Sequence, residues 1–373
     1  MTDSLRSLNL VELERPELEA AFEQRGLERF RARQLFRWIY RHGATGFDEM
    51  TDLPQSLRAT LAADFALPTP QILNRERSVD GTEKFLLGVS DGRRIESVFI
   101  PDTPAMTFCI STQVGCAMAC SFCLTGRMGL VRNLTAGEIA GQVRVLAGAL
   151  DMRATRFNIV LMGMGEPLHN YDETMRALRI LNDEHGLALP PRRVTLSTVG
   201  LLPALERLAQ EPLMPNLAIS LHAPTDAVRG ELVPLNKKYG VREIIEACER
   251  FPLARRRRIT FEYVLLAGVN DSPDAARRLA KLLSGVKSKV NLIPLNAAPG
   301  IPFERPDDDV IDRFARILAE RGLLVSVRKS RGRDIRAACG QLIVDSQQRS
   351  PGQMLANALG GEPLATTSRN VEA

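Results

Sequence analysis

Residues 113–126 read QVGCAMACSFCLTG and set Cys116, Cys120 and Cys123 on one short loop, spaced C-x3-C-x2-C. A thiolate is a soft, strong metal ligand, and three on one loop can converge on a single centre. Iron–sulfur clusters are held by cysteine thiolates, usually four. Three ligands leave one iron open, which an enzyme needs to bind and reduce a substrate rather than pass electrons on. Two plainer readings compete with this one. Free cysteine is a good small core residue, but three at this density on a glycine-flanked loop are poor core material. Zinc wants a fourth Cys or His in closed tetrahedral geometry. No second C-x2-C or H-x3-H follows, so Cys109 or His222 would have to serve from a distance.

Outward from the loop, strand-like runs alternate with helical patterns. Strands are expected at 107–111, 157–162, 194–198, 217–221, 259–264 and 290–294, with a last one near 323–327. Thr135-x-x-Glu138 is a capping box that opens a helix bearing Ile139, Val143, Leu146 and Leu150 on one face. Further helices are expected at 172–182, at 241–251 (VREIIEACERF), after Ser272-Pro273-Asp274 and around Val310–Ile317. Six or so βα units imply an α/β domain of parallel strands with right-handed crossovers, hence a barrel or a doubly wound sheet. Functional residues then belong at the C-terminal ends of strands. The cysteine loop, 163–167, 197–200, 220–223 and Asn296 all fall there.

Upstream, Ser90-Asp91-Gly92-Arg93 between two strand-like runs predicts a β-hairpin. Glu96 shares a strand face with Val98 and Ile100, but also with Arg94. An inward face would desolvate its carboxyl, raise its pKa and suit it to proton transfer; taken alone, it reads as a surface glutamate. Residues 1–78 read as a small helical domain. RARQLFRWIYR at 31–41 puts Leu35, Phe36, Ile39 and Tyr40 on one helix face and Arg33, Arg37 and Arg41 on another, with His42-Gly43 as the stop. A second helix is expected at 54–65. The arginine stripe reads as a solvated face, which only a nucleic-acid substrate would make a docking surface. Residues 79–349 then hold the hairpin and the α/β domain, and 350–373 read as an unpacked tail.

At 373 residues, 45% apolar and 25% charged, the chain has the composition of an ordinary globular protein. Six cysteines are too few for a disulfide scaffold. The net charge of +5 and pI near 9.0 permit a nucleic-acid partner without requiring one. No run approaches the ~18 apolar residues of a membrane span. The opening MTDSLRSLNLVELERPE is acidic and polar, unlike a signal or transit peptide. A cytoplasmic protein with no membrane partner is expected.

Chemistry-bearing residues recur along the α/β half. Met162-Gly163-Met164-Gly165-Glu166-Pro167 is a Gly-rich strand end whose backbone can approach a ligand closely. Glu166 there suits an amine or a ribose hydroxyl. It is not the GxGxxG dinucleotide fingerprint. Ser197-Thr198, Ser220-Leu221-His222 and Asn296 are polar strand ends able to line one pocket, although each alone is equally a capping hydroxyl or a satisfied buried side chain. Cys109 lies mid-strand. Cys339 sits on an Ala- and Gly-flanked loop as a nucleophile candidate, a buried spectator being the alternative. Cys248, on the apolar face of its helix, reads as core. Basic runs at 255–258 and 328–333 read as solvated surface, but the second leads straight into the Cys339 loop, where it would suit a phosphate-bearing substrate.

Taken in order, QVGCAMACSFC, GMGEP, STVG, SLHAP, LIPLN and RGRDIRAACGQL resemble the radical S-adenosylmethionine (SAM) RNA methyltransferases of the RlmN family over nearly the whole chain. The resemblance implies a partial (β/α)6 TIM-like barrel with a small N-terminal helical domain and a β-hairpin extension. It implies a [4Fe–4S] cluster on Cys116, Cys120 and Cys123. Gly165, Glu166, Ser197, Ser220, Leu221, His222 and Asn296 would contact SAM. Cys339 looks like the cysteine that becomes S-methylated, Cys109 like its redox partner and Glu96 like the proton acceptor. The implied reaction methylates C2 of adenine in 23S ribosomal RNA and in certain transfer RNAs, using two SAM per turnover. C2 is electrophilic with a strong C–H bond, so a radical carbon on Cys339 adds to it, a base takes the proton, and Cys109 attacks the Cys339 sulfur to release the product as a disulfide forms. The implied partners are these RNAs and an electron donor such as flavodoxin or ferredoxin, with the chain acting as a monomer. Two alternatives stand beside this. The related Cfr enzymes methylate adenine C8. A zinc-stabilised RNA-binding protein would not catalyse at all, but GMGEP and the polar strand ends argue against it.

Overall fold

Ten strands form one mixed sheet in a computed structural model that describes residues 8–101 and 106–344. The tail expected at 350–373 lies outside the described residues. In chain order the strands are β1 (Gln71–Arg77), β2 (Glu83–Gly88), β3 (Arg94–Ile100), β4 (Thr107–Cys109), β5 (Asn158–Leu161), β6 (Val194–Thr198), β7 (Asn216–Ser220), β8 (Ile259–Leu265), β9 (Ser288–Pro294) and β10 (Val325–Val327). Their spatial order is the chain order throughout. β1 to β4 pair antiparallel, and every pairing from β4 to β10 is parallel.

A doubly wound sheet would reverse its order at a switch point. This sheet never does, so right-handed crossovers keep their helices on one side and curl the sheet towards a barrel. The ends, β1 and β10, are not paired with each other, and the barrel is partial. The crossovers carry α4 (Ala136–Ala149), α5 (Tyr171–Asn182), α6 (Leu202–Leu208), α7 (Asp226–Leu232), α8 (Val241–Arg250), α9 (Pro273–Leu282) and α10 (Asp308–Glu320), after α1 (Arg15–Glu23), α2 (Arg29–Arg37) and α3 (Gln55–Asp64) of the N-terminal segment.

Local chemistry explains the element ends. The Thr135 hydroxyl accepts from Glu138 N at 3.2 Å and the Glu138 carboxylate from Thr135 N at 3.0 Å, closing the capping box of α4. Ser272 caps α9 through Ala275 N at 3.1 Å. The helix expected at 31–41 begins earlier, at Arg29. It leaves α geometry after Arg37 and widens into a π-type turn over Trp38–His42 that ends on Gly43 at φ 73°. β1 carries no alternating signal. Its side chains are almost all exposed, and it exists as an edge strand because β2 supplies its hydrogen bonds.

The N-terminal helices seat on α4 and α5. The Glu12 carboxylate accepts from Gly137 N at 2.8 Å and the Thr135 hydroxyl at 2.7 Å, capping α4 from outside its own segment. Arg15 pairs with Asp183 at 2.9 Å and Arg179 with Glu14 at 2.7 Å. Of the arginine stripe, Arg33 pairs with Glu19 at 2.9 Å, while Arg37 and Arg41 are exposed.

Candidate active site

The C-terminal strand ends surround one cavity, lined by Cys116, Cys120, Cys123, Gly165, Glu166, Ser197, Ser220, His222, Asn296 and Cys339. Ten of the thirteen residues singled out from the sequence therefore meet there. The other three are placed differently. The Leu221 side chain is buried in the core, and the residue does not line the cavity. Cys109 is buried beside the cavity. Glu96 lines a second, solvent-facing cavity on the hairpin side.

Backbone contacts build the cysteine loop. Gly115 has φ +78°, and a Cβ there would lie 1.9 Å from the Gly129 carbonyl oxygen, so only glycine fits. Cys116 N donates to that carbonyl at 3.0 Å, and Cys123 N donates to Cys120 O at 3.1 Å. Burial raises the pKa of all three thiols, so without a metal they stay protonated. Backbone N–H groups offset this: Met118 serves Cys116, and Gly126 and Thr125 serve Cys123. Such N–H···S contacts also favour a thiolate bound to iron. Among the described residues, no three His, Cys, Asp or Glu side chains close around a single ion, as a zinc site at Zn–S of ~2.3 Å requires. A cluster spreads its ligands over several irons, and three soft thiolates around one buried cavity suit it.

The Gly-rich strand end after β5 brings main chain to the same space. A Cβ on Gly163 would lie 2.7 Å from the Ile110 carbonyl, and Gly165, at φ +105°, would meet Gln113 at 2.7 Å. Both Glu166 oxygens are engaged, accepting from Leu168 N at 3.0 Å and Val199 N at 2.9 Å. Burial nonetheless pushes this carboxyl up to about 7. The Ser197 and Ser220 hydroxyls lie 3.3 Å apart on neighbouring strands. His222 takes a positive φ of 63°. Its Nδ1 accepts from Val264 N at 3.1 Å, and burial pushes its pKa down to about 3, so the ring is neutral with Nε2 carrying the proton. Asn296 donates to Cys339 O at 3.5 Å while its buried Oδ1 has no partner in the protein, which leaves an acceptor for a ligand.

The Cys339 loop docks on the cysteine loop from far along the chain. Leu124 N donates to Gly340 O at 2.8 Å and the Thr125 hydroxyl to Leu342 O at 2.6 Å. Cys109 and Cys339 are both free thiols. Burial pushes Cys109 up to about 12, and nearby Cys339 adds to the rise. Arg328 reaches into this space, hydrogen-bonds Cys339 and lies near Cys109 and Glu262. On the far side of the loop, Glu96 accepts from Ile343 N at 2.8 Å and faces Lys84 Nζ at 3.2 Å. Burial raises its pKa although Lys84 opposes the rise. The inward, desolvated reading of Glu96 holds, and the surface reading does not.

Comparisons with known proteins match both the N-terminal segment and the barrel. A family model described as the ribosomal RNA large subunit methyltransferase N-terminal domain matches residues 8–67, and the radical SAM superfamily model matches residues 110–280. A protein of Geobacter sulfurreducens named dual-specificity RNA methyltransferase RlmN is 51% identical over 326 residues, covering 87% of this chain and 89% of the relative. The chain belongs to the RlmN family. A relative of that name from Anaeromyxobacter sp. (strain Fw109-5) is 49% identical and covers 93% of this chain and 92% of its own. The crystal structure of a radical SAM methyltransferase from Sphaerobacter thermophilus superposes with a TM-score of 0.86 at 50% identity, covering 90% of this chain and 99% of that one.

Within this RlmN-family site, sequence reasoning passed over three charged groups, two of them buried and Arg328 half-buried. Arg328 and Glu262 line the cavity. Arg229 is fully buried behind it. Arg328 carried a faint signal as the first residue of the basic run leading to Cys339. Glu262 and Arg229 carried none, because a charged residue in an amphipathic segment reads as surface.

Proposed function

We propose that this chain methylates C2 of adenine in 23S ribosomal RNA and in transfer RNA, with Cys339 as the carrier of the methyl group. The observation that carries this reading is the second pair of thiols: Cys339 opens onto the three-cysteine cavity, with Cys109 buried beside it. A SAM enzyme that only cuts its cofactor has no use for that pair. When bound to Cys116, Cys120 and Cys123, a [4Fe–4S] cluster supplies the electron that cleaves SAM.

The chain's own residues supply the rest. Asn296 Oδ1, the two serine hydroxyls, neutral His222 and the Gly163–Glu166 backbone orient SAM. Arg328 faces Cys339, the methyl acceptor, across the same cavity. Glu96 takes the proton from adenine once the Ile343 contact yields. Cys109 attacks the Cys339 sulfur, and the new S–S bond forms as the S–C bond to the base breaks; the electron pair stays on the released methylene, and the proton given up by the Cys109 thiol balances the one that completes the methyl group. An adenine edge must be unstacked to reach such an enclosed site. An electron donor such as flavodoxin or ferredoxin and a monomeric state complete the proposal.

Mass spectrometry of ribosomal RNA fragments, with Cys339→Ala as the control, tests it. Methyl at C2 that is absent with the variant supports the assignment; methyl at C8, or undiminished transfer by the variant, sinks it. Cys109→Ala is expected to accumulate a covalent protein–RNA adduct that denaturing gels resolve.

A further inference from the structure

Arg229 is among the largest fully buried side chains of the protein. Its guanidinium donates to Leu221 O at 3.0 Å, Val199 O at 2.6 Å, Ser220 O at 3.2 Å and Asn236 Oδ1 at 3.0 Å. All four acceptors are neutral. Among the described residues no carboxylate pairs with it directly; Asp226 is reached only through the Asn236 amide, which donates to it at 2.9 Å. A buried charge without a counter-ion is costly enough that proteins ordinarily pair it or neutralise it. Strand ends could be tied together by a neutral amide at far lower cost, so the charge itself calls for an anion.

The fold points to where that anion sits. Arg229 lies on α7, whose last residue, Leu232, accepts from Ser121 N at 3.0 Å, inside the cysteine loop. Leu232 and Val233 share an apolar cluster with Cys116, Cys120 and Phe122. The strand ends that Arg229 binds carry Ser197 and Ser220, so it stands behind the cavity where the three thiols meet. Burial pushes the guanidinium down to about 10, while Cys120 and, behind it, the Asp226 carboxylate pull the other way. Three thiolates on a cluster make an anion, and reduction adds a further negative charge. A fixed cation nearby stabilises the reduced form more than the oxidised one, because the attraction scales with the charge it meets.

We propose that Arg229 is the buried counter-ion of the iron–sulfur cluster and sets its reduction potential, raising it towards the reach of a physiological donor. This rests on the proposed cluster at Cys116, Cys120 and Cys123. It adds a residue that touches neither SAM nor RNA and acts through charge alone.

The full chain, reconstituted anaerobically with iron and sulfide, is titrated potentiometrically with the reduced cluster followed by electron paramagnetic resonance. Arg229→Gln is expected to lower the midpoint by a tenfold shift in the reduction equilibrium or more, about 59 mV for one electron. Arg229→Lys keeps the charge and is expected to retain most of the wild-type midpoint. Asn236→Asp keeps an acceptor for the arginine, gives up the amide's donation to Asp226 and sets a carboxylate against the guanidinium, and is expected to shift the midpoint in the same direction as Arg229→Gln. If Arg229→Gln does not load iron, Asn236→Asp decides. Loaded variants whose midpoints match the wild type overturn the proposal, as does a fall in Arg229→Lys equal to that in Arg229→Gln. A wild-type chain that takes up no iron sinks the proposed function first, and this inference with it.

Discussion

Glu166 shows how far one buried carboxyl can govern the free protein. Its folded pKa of about 7 stands above an ordinary 4.5 because burial outweighs three hydrogen bonds. A raised carboxyl pKa means that the native state holds a proton which the unfolded chain has lost. Stability is therefore full below pH 4.5 and falls as pH rises towards 7, by about 3 kcal/mol at most. Glu96 and Glu262 are shifted in the same direction by burial and add to the slope. Urea titrations of the apo protein at about pH 5 and about pH 8 should show the loss, and Glu166→Gln should flatten part of it. An unchanged slope in the variant would remove Glu166 from this role. None of this was legible in GMGEP itself. The motif marks a tight approach of backbone to ligand, whereas the burial comes from β6 and Gln113, remote in sequence.

The cysteine loop is the element on which the cavity depends, and Gly115 is its hinge point. Alanine there meets both an unfavourable φ and the Gly129 carbonyl. Gly115→Ala should cost roughly 2 kcal/mol or more and displace Cys116. The expected readout is loss of bound iron after reconstitution, with the rest of the barrel still folded by circular dichroism. Full iron content would contradict it. The loop's spacing was readable because cluster ligands are local in sequence. The docking of the 339–342 segment on Leu124 and Thr125 was not, since those hydrogen bonds join residues more than two hundred positions apart.

At the scale of the molecule, Glu12 joins the N-terminal helices to the barrel by capping α4. Glu12→Ala leaves Gly137 N and the Thr135 hydroxyl without their acceptor and should cost about 1 kcal/mol. Hydrogen exchange should rise across the N-terminal helices while iron loading at the cysteine loop is retained. Uniform exchange across both parts would show that they unfold as one unit. The capping box of α4 was visible as Thr135-x-x-Glu138; its second cap from Glu12 was hidden, because a carboxylate more than a hundred residues away leaves no periodic trace.

Sequence alone determined what is local or periodic: three thiols at cluster spacing, glycines where only a missing Cβ fits, capping residues at helix starts, and the alternation that makes parallel strands with crossovers. It also identified most of the cavity wall, because barrel geometry sends strand ends to one side whatever the loops contain. Tertiary structure decided what depends on neighbours distant in the chain. It chose the partial barrel over the doubly wound sheet through an unreversed strand order. It turned Glu96 inward beneath Ile343, sent the Leu221 side chain into the core and put Arg328 against Cys339. It also buried Arg229 among neutral oxygens, with no carboxylate hydrogen-bonded to it among the described residues. Burial and charge are set by what packs against a residue, and that packing exists only once the sheet has curled.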